Sequence, residues 1–387
     1  MCGAWCNGGR APNKSLEPTL LSRILLKPFL SLQHFRLMRV VIFLLLTFIL
    51  TWGSDLVIDL SVGYSTFFNL GFTPWGMLVP GFVALILRRF VYKDSQIHVS
   101  RYNAKPKWIL LAFMPLTLVY LGIVALALFL PSLGRLLQGV GALVLTLWTL
   151  LVIFVGGHSD SHSMHRAGLQ LGDVRRGQVY IMSIVAFFII QSALNLAFGL
   201  GAIQGKAESI FGIPIPTNLY LPALIILFIP VAVIGIPLSG LAATFGEEYG
   251  WRGFLQDELV KIGVLPGVLF VGLIWGLWHF PVILRGVHTY PATWSGLLLG
   301  VVFFVLWGII QSYAVLKAGS IWIAAFMHGV VNSVYGFLSS YILRPFDPMW
   351  SFGLGIFGLL SLAVIVTVIL RDPVWRSNIA GPNLQSS

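Results

Sequence analysis

Two adjacent glutamates, Glu247 and Glu248, are the residues of this sequence whose type and position point most directly to chemistry. They follow the run 220–246, which contains no charged residue, in a chain that has only five glutamates. Arg252 lies four residues after Glu248, so a helix would place these two side chains on one face as an ion pair. Glu247 would then point about 100° away from that pair and keep its carboxylate free. The alternative is an interfacial charge cluster that marks the end of a helix.

Two histidines fall inside hydrophobic runs, where an ionisable side chain has a functional role by default. His279 stands in LIWGLWHFPVILRG, and His328 stands in SIWIAAFMHGVVNSVYGF with Asn332 one helical turn later. His328 and Asn332 share a helix face at i and i+4, a spacing that suits two groups addressing one ligand or one oxyanion. The alternative is that both histidines are packed, hydrogen-bonded residues without a catalytic role.

The composition predicts which elements must carry these residues. Hydrophobic residues make up 57% of the 387 residues and charged residues only 10%, against roughly 25% charged residues in a soluble domain. These proportions exclude a soluble enzyme, a disordered chain and a nucleic-acid-binding module. We predict an all-α, polytopic transmembrane helical bundle of about 8–10 spans, since roughly 20 apolar residues cross the hydrocarbon. The ten candidate spans are residues 40–61, 69–87, 108–130, 137–156, 178–202, 220–244, 265–284, 295–317, 319–342 and 349–370.

The charges between the spans predict how the chain is oriented. Lys and Arg concentrate before the first span and in every second loop after it, so both termini are expected in the cytoplasm. Residues 1–37 are expected to form a weakly structured N-terminal extension, with residues 38–387 as the transmembrane domain. Met1 and Met38 are both candidate start sites. We expect an integral, multi-pass protein of a bacterial inner membrane, with membrane lipid as a partner and no nucleic acid.

Three short motifs, in this order and at these separations, are typical of one family. The runs EEYGWR at 247–252, WGLWH at 275–279 and HGVVN at 328–332 resemble the CPBP intramembrane endopeptidases. That family takes in the type II CAAX prenyl endopeptidases and bacteriocin-processing or self-immunity proteins. The resemblance is strongest over 220–340, which is taken as the protease motif region. One departure is Trp275, which stands where the family usually has Phe, so an aromatic packing role is expected there in a reshaped pocket.

The resemblance implies an endopeptidase that hydrolyses a peptide bond at the cytoplasmic side of the membrane. In the family, the first Glu and the second-motif His hold the attacking water, which assigns these roles to Glu247 and His279. The third motif implies that His328 and Asn332 donate to the oxyanion. The substrate would be a peptide or protein, lipidated if the activity is of the CAAX type. The supporting residues would be Glu248 and Arg252.

Two other functional classes remain open from the sequence. A catalytically silent member could act as a membrane scaffold or an immunity protein. The intact motif set disfavours this alternative, because a protein without a catalytic role would tolerate the loss of His279 or Asn332. A secondary transporter could use the glutamates and histidines as a proton relay, and inverted repeats would favour it. No such repeat is visible in the sequence.

The hydrolysis could also depend on a metal ion instead of on a glutamate-activated water. Glu247, His279 and His328 could supply three zinc ligands with an open fourth position. The motif HExxH is absent, the two histidines lie on different predicted helices, and few acids are present to orient them. We therefore favour a glutamate-activated water without a cofactor.

The predicted spans place two of the proposed partners at different depths. If the sixth helix ends near Leu241, Glu247 lies at the interface, whereas His279 lies 14 residues past Leu265 and so roughly 20 Å deeper. These two residues could then not share a water. Either the sixth helix stays immersed past Glu248, or the seventh helix starts outside the hydrocarbon and is tilted.

Overall fold

The computed structural model describes residues 20–69, 71–92, 105–203, 209–210, 213–286 and 290–376. The chain divides into two units, residues 1–42 and residues 43–387. The first unit contains the start of α1, and the second contains the rest of α1 and every later element. The helices are α1 (Leu20–Val62), α2 (Tyr64–Asn69), α3 (Pro74–Ile86), α4 (Lys107–Phe129), α5 (Gly134–Gly157), α6 (Ser161–Arg166), α7 (Val174–Ala197), α8 (Thr217–Leu227), α9 (Ile236–Ser239), α10 (Leu241–Glu248), α11 (Gln256–Leu259), α12 (Val264–Trp278), α13 (Phe280–Leu284), α14 (Trp294–Ala318), α15 (Ile321–Phe337) and α16 (Ile356–Ile369).

The predicted all-α, polytopic bundle is confirmed. Among the described residues, nine helical stretches are long and apolar enough to cross a membrane, and α16 is a shorter apolar helix. The strands in the described part of the chain form two small antiparallel pairs outside the helices. In the first, β1 (Gly201–Ile203) pairs with β4 (Leu343–Pro345), and in the second, β2 (Ser209–Ile210) pairs with β3 (Ile213–Pro214). The protein is therefore an integral, multi-pass membrane protein.

The described elements at the two ends of the chain are α1 and α16. Helix α1 begins at Leu20, and residues 1–19 lie outside the described part. The tenth predicted span, 349–370, contains turns followed by the 14 residues of α16.

The region that carries the two glutamates is a helical chain whose winding changes several times. Helices α8 and α9 are joined by the π-helical turn Phe228–Gly235, and α10 is followed by a second π turn, Tyr249–Leu255. The chain then continues through α11 to the 3₁₀ turn Val260–Ile262. Single π turns inside α-helices occur frequently at functional sites. Glu247 and Glu248 close α10 directly before one of these turns.

Glycines bring α10 into backbone contact with α3. A Cβ atom added at Gly246 would lie 2.6 Å from the Met77 carbonyl oxygen, and one added at Gly250 would lie 2.6 Å from the Pro80 carbonyl carbon. The two glycines are four residues apart and frame the pair of glutamates, a small-xxx-small pattern that lets membrane helices approach closely. Helix α15 also packs against α10. The glutamates are thus carried by a helix that is fixed between two neighbours.

Helices α12 and α14 form a second closely packed pair, which carries His279 and its aromatic neighbours. A Cβ atom at Gly272 would lie 2.9 Å from the Val305 Cα atom, so the two backbones are in near contact. At one end of this pair, a hydrophobic cluster ties α12 and α14 to α16 and to the turn Pro373–Arg376. This cluster consists of Val260, Val264, Val268, Ile309, Val366 and Trp375.

Candidate active site

Both glutamates of the first motif are buried inside the protein. Glu247 is 2% exposed and Glu248 is fully buried. The helical chain does not end at Leu241 but runs on through the π turn Tyr249–Leu255 and α11. It therefore continues past Glu248. An exposed interfacial charge cluster does not describe these two carboxylates.

Glu248 is the acceptor of a dense set of buried donors. The Nη1 atom of Arg252 lies 3.1 Å from Glu248 Oε1 and 3.0 Å from Oε2, which is the ion pair expected from the i, i+4 spacing. The Nδ1 atom of His328 lies 2.8 Å from the same Oε1, and Gln311 Nε2 donates to it at 3.4 Å. Three side chains from three helical segments converge on Glu248, so this carboxylate links those segments to one another.

Glu247 has a different environment from its neighbour. The indole Nε1 atom of Trp275 donates a hydrogen bond of 2.8 Å to Glu247 Oε2. Glu247 lies outside the nine candidate spans, in the segment between α9 and α11. Burial raises the pKa of its carboxyl group, and the charge of His328 and the hydrogen bond from Trp275 partly offset that shift. A carboxylate with a raised pKa and one engaged oxygen suits a proton acceptor.

Trp275 lies at the centre of the site. The guanidinium carbon of Arg252 lies 4.1 Å from the centroid of the Trp275 ring, within the range of a cation–π contact. The rings of His279 and His328 lie 5.7 and 5.6 Å from the same ring, both edge-on. Trp275 therefore contacts groups from all three sequence motifs.

His279 stands at a break in the helix that carries it. Helix α12 ends at Trp278 and α13 begins at Phe280, because the ring of Pro281 clashes with the carbonyl four residues earlier. At the break, the His279 backbone N–H donates to the Gly276 carbonyl at 3.2 Å. This shift releases the Trp275 carbonyl, and the imidazole Nδ1 of His279 lies 2.9 Å from it.

The surroundings of His279 fix which ring nitrogen is available for chemistry. A carbonyl oxygen only accepts, so Nδ1 of His279 carries the hydrogen in its contact with Trp275. In the neutral ring, Nε2 is then the nitrogen that carries the lone pair and can act as an acceptor. The imidazole is half-buried and stacks on Phe304, with ring centroids 3.8 Å apart.

The structure places the two third-motif residues differently. His328 is buried and joins the site through Glu248, as described above. Asn332 follows one turn later on α15, and its side chain is exposed. None of the described residues forms a hydrogen bond with it. The structure thus gathers Glu247, Glu248, Arg252, His279 and His328, and Asn332 is exposed one turn after His328.

The sequence interpretation missed two residues that support this arrangement. Gln311 is a fully buried polar residue in the apolar run of α14, and its position in VLWGIIQSYAVL was a detectable signal. Arg88 directly follows the predicted span 69–87, where the sequence suggests an ordinary loop charge, but it is only 2% exposed. Its Nη2 atom donates to the Gly253 carbonyl at 2.6 Å, so it binds the π turn that follows Glu248. The adjacent Arg89 masked this role in the sequence.

The donor groups of the described residues do not form a metal site. No cluster of three His, Cys, Asp or Glu side chains that could hold an ion is found among them. The three zinc ligands considered from the sequence contact other residues: His279 Nδ1 and Glu247 Oε2 contact Trp275, and His328 Nδ1 contacts Glu248.

Comparison with known proteins shows which protein family the segment that carries the site resembles. Residues 221–334 match the family described as type II CAAX prenyl endopeptidase Rce1-like. A curated relative, CAAX prenyl protease 2 of Methanococcus maripaludis, is 34% identical over 111 residues, which is 27% of this chain. The match spans 39% of the length of that relative. No solved structure matches the chain.

The fold is that of an all-helical, multi-pass membrane protein. Residues 221–334 are similar to the type II CAAX prenyl endopeptidases, so the predicted resemblance to the CPBP family is confirmed over this segment. The matched segment contains all three motifs, from Glu247 to Asn332.

Proposed function

We propose that the protein is an endopeptidase that hydrolyses a peptide bond by means of a water molecule activated by Glu247. The observation that carries this proposal is the placement of Glu247 and His279 around one residue. Trp275 binds Glu247 through its indole N–H and His279 through its backbone carbonyl. The match of this segment to the CAAX prenyl endopeptidases supports the same reaction class.

The proposed reaction begins with a water held between Glu247 Oε1 and His279 Nε2, the atoms of these two side chains that do not contact Trp275. Glu247 accepts a proton from the water as the oxygen attacks the peptide carbonyl carbon. The tetrahedral intermediate then collapses, the C–N bond breaks, and the proton on Glu247 passes to the leaving amine. Positioned groups of this kind contribute roughly 100- to 10,000-fold to such a proton transfer.

His328 and Asn332 are proposed to stabilise the carbonyl oxygen as it gains negative charge. When His328 carries hydrogens on both nitrogens, Nδ1–H binds Glu248 and Nε2–H is left to donate to the substrate. The exposed Asn332 amide lies one turn away on the same helix face and can supply a second donor. Glu248 and Arg252 support this pair by fixing the His328 ring.

The orientation of the chain is part of the proposal. The Lys and Arg bias predicts that both termini are cytoplasmic, which requires an even number of crossings. Nine long spans lie among the described residues, so in this proposal α16 crosses as the tenth, although its 14 helical residues extend only about 21 Å. A reporter fused to the C-terminus should then read as cytoplasmic, and an extracytoplasmic reading would contradict this topology.

The substrate class can be tested with purified protein in liposomes. The probes are two quenched-fluorescent peptides that end in the same CAAX sequence, one of them prenylated on its cysteine. We expect release of the last three residues, identified by mass spectrometry, from the prenylated peptide. Equal cleavage of both peptides would show a protease without lipid selectivity. Intact peptides of both kinds would contradict the CAAX proposal and favour a silent scaffold.

A further inference from the structure

Trp275 contributes a polar contact that the sequence did not predict. The sequence predicts only aromatic packing at this position, because an aromatic residue stands there in the family. In the structure, Trp275 is 1% exposed and its indole N–H donates to Glu247 Oε2 at 2.8 Å. A phenylalanine would keep the packing but has no hydrogen to donate.

We propose that Trp275 is a positioning residue that fixes the carboxylate plane of Glu247, so that Oε1 faces the water. This inference rests on the proposed function of Glu247 as the general base. Among the described residues, Trp275 provides the one hydrogen bond to Glu247. The charged and titratable groups around that carboxylate are Glu248, Arg252 and His328, and each of them is engaged with another of the three.

Trp275 also sets the position of the second residue that would hold the water. Its backbone carbonyl lies 2.9 Å from Nδ1 of His279, a contact that does not depend on the Trp275 side chain. The indole ring is held in turn by Arg252 on one face and by the ring of Phe304, whose centroid lies 4.8 Å away. A change confined to the indole N–H would therefore release Glu247 alone and leave His279 in place.

Two replacements at position 275 separate the hydrogen bond from the packing. Trp275→Phe removes the donor and part of the ring. Nonsense suppression with 3-benzothienylalanine keeps the bicyclic shape and replaces N–H by sulfur, so it covers the case in which the Phe variant folds poorly. Both should lower kcat about 10- to 100-fold, since small misplacements of a reacting group have effects of this size. KM should change by less than about twofold, because substrate binding does not use this contact.

A matched control removes an indole donor elsewhere in the protein. Trp375 is buried, and its Nε1 donates to the Ile369 carbonyl at 2.8 Å, outside the site. Trp375→Phe should keep the wild-type kcat per folded molecule. A benzothienylalanine variant with the wild-type kcat, or a Trp375→Phe variant with an equal loss, would overturn the inference.

A spectroscopic measurement tests the contact without reference to activity. The indole N–H resonance of Trp275, assigned by its loss in Trp275→Phe, should move upfield in Glu247→Gln because the charged acceptor is gone. An unmoved resonance would refute the hydrogen bond. A wild-type protein that hydrolyses no peptide would refute the proposed function and the catalytic part of this inference. An active wild type with unaffected position-275 variants would refute only the inference.

Discussion

The Nδ1 atom of His328 lies 2.8 Å from Oε1 of Glu248, and both side chains are buried. The same carboxylate forms an ion pair with the Arg252 guanidinium. Its negative charge is therefore already stabilised by Arg252 and by His328. Glu247, one residue earlier, is bound only by the Trp275 indole among the described residues. The two adjacent glutamates therefore have different environments, and we propose an anchoring role for Glu248 and a proton-acceptor role for Glu247.

The anchoring role predicts a stability effect at Glu248. Glu248→Gln leaves the Arg252 charge buried without its partner, which costs about 3–5 kcal/mol when one member of a buried pair is removed. We expect a clear fall in the apparent melting temperature in detergent. Asp173→Asn is the matched control, since it breaks an exposed pair with Arg176 and an asparagine keeps the N-cap. Equal melting temperatures for both variants would contradict the anchoring role.

The close contact between α10 and α3 predicts an effect at Gly246. The added Cβ of Gly246→Ala would meet the Met77 carbonyl oxygen, so the helix must shift, at a cost of about 1–3 kcal/mol. We expect lower thermal stability together with lower turnover, because the shift moves Glu247. The control is Gly253→Ala in the next turn, where the nearest atom to an added Cβ lies 3.5 Å away. If both alanine variants behave alike, the close contact does not position the glutamates.

The oxyanion role predicts that Asn332 matters mainly in the transition state. Asn332→Ala should lower turnover by about 10- to 1000-fold with little change in apparent substrate affinity. The alternative, that Asn332 only holds helices together, forecasts a loss of roughly 1 kcal/mol of stability with turnover intact. Its exposed side chain argues for the first outcome. Turnover and melting temperature measured on the same preparation separate the two, and unchanged turnover would remove Asn332 from the site.

Local sequence spacing predicted part of this site, and the folding of distant segments determined the rest. The pair Glu248–Arg252 follows from a four-residue spacing on one helical stretch, and the structure contains it. The contact of Glu248 with His328 joins residues 80 positions apart, and that of Trp275 with Glu247 joins residues 28 positions apart. Without the packing of the helices, neither contact can be read from the sequence.

The membrane spans could be predicted because hydrophobicity is a property of each segment by itself. Their exact course could not, because changes of winding depend on packing. The π turn after Glu248 and the burial of Arg88 against it are examples, since Arg88 resembles an ordinary loop charge in the sequence. The break at His279 is an intermediate case, because Pro281 signals it locally.

Metal dependence can be tested directly on the purified protein. We expect chelator-treated protein to keep its activity and to contain no stoichiometric zinc, because the described residues contain no cluster of three His, Cys, Asp or Glu side chains that could hold an ion. Zinc content by mass spectrometry and turnover should be measured on the same sample. One tightly bound zinc per chain, with activity restored only by its return, would instead make Glu247, His279 and His328 ligands.

The substitution Glu247→Gln tests the central claim most directly. Glutamine keeps the shape of the side chain and can still accept the Trp275 hydrogen bond, but it cannot take a proton from water. Turnover of the cleaved peptide should fall by about 100-fold or more, because a general base contributes at least that much. The melting temperature should stay close to that of the wild type, which shows that the protein remains folded. A folded Glu247→Gln protein that loses less than about tenfold in turnover would contradict the general-base role.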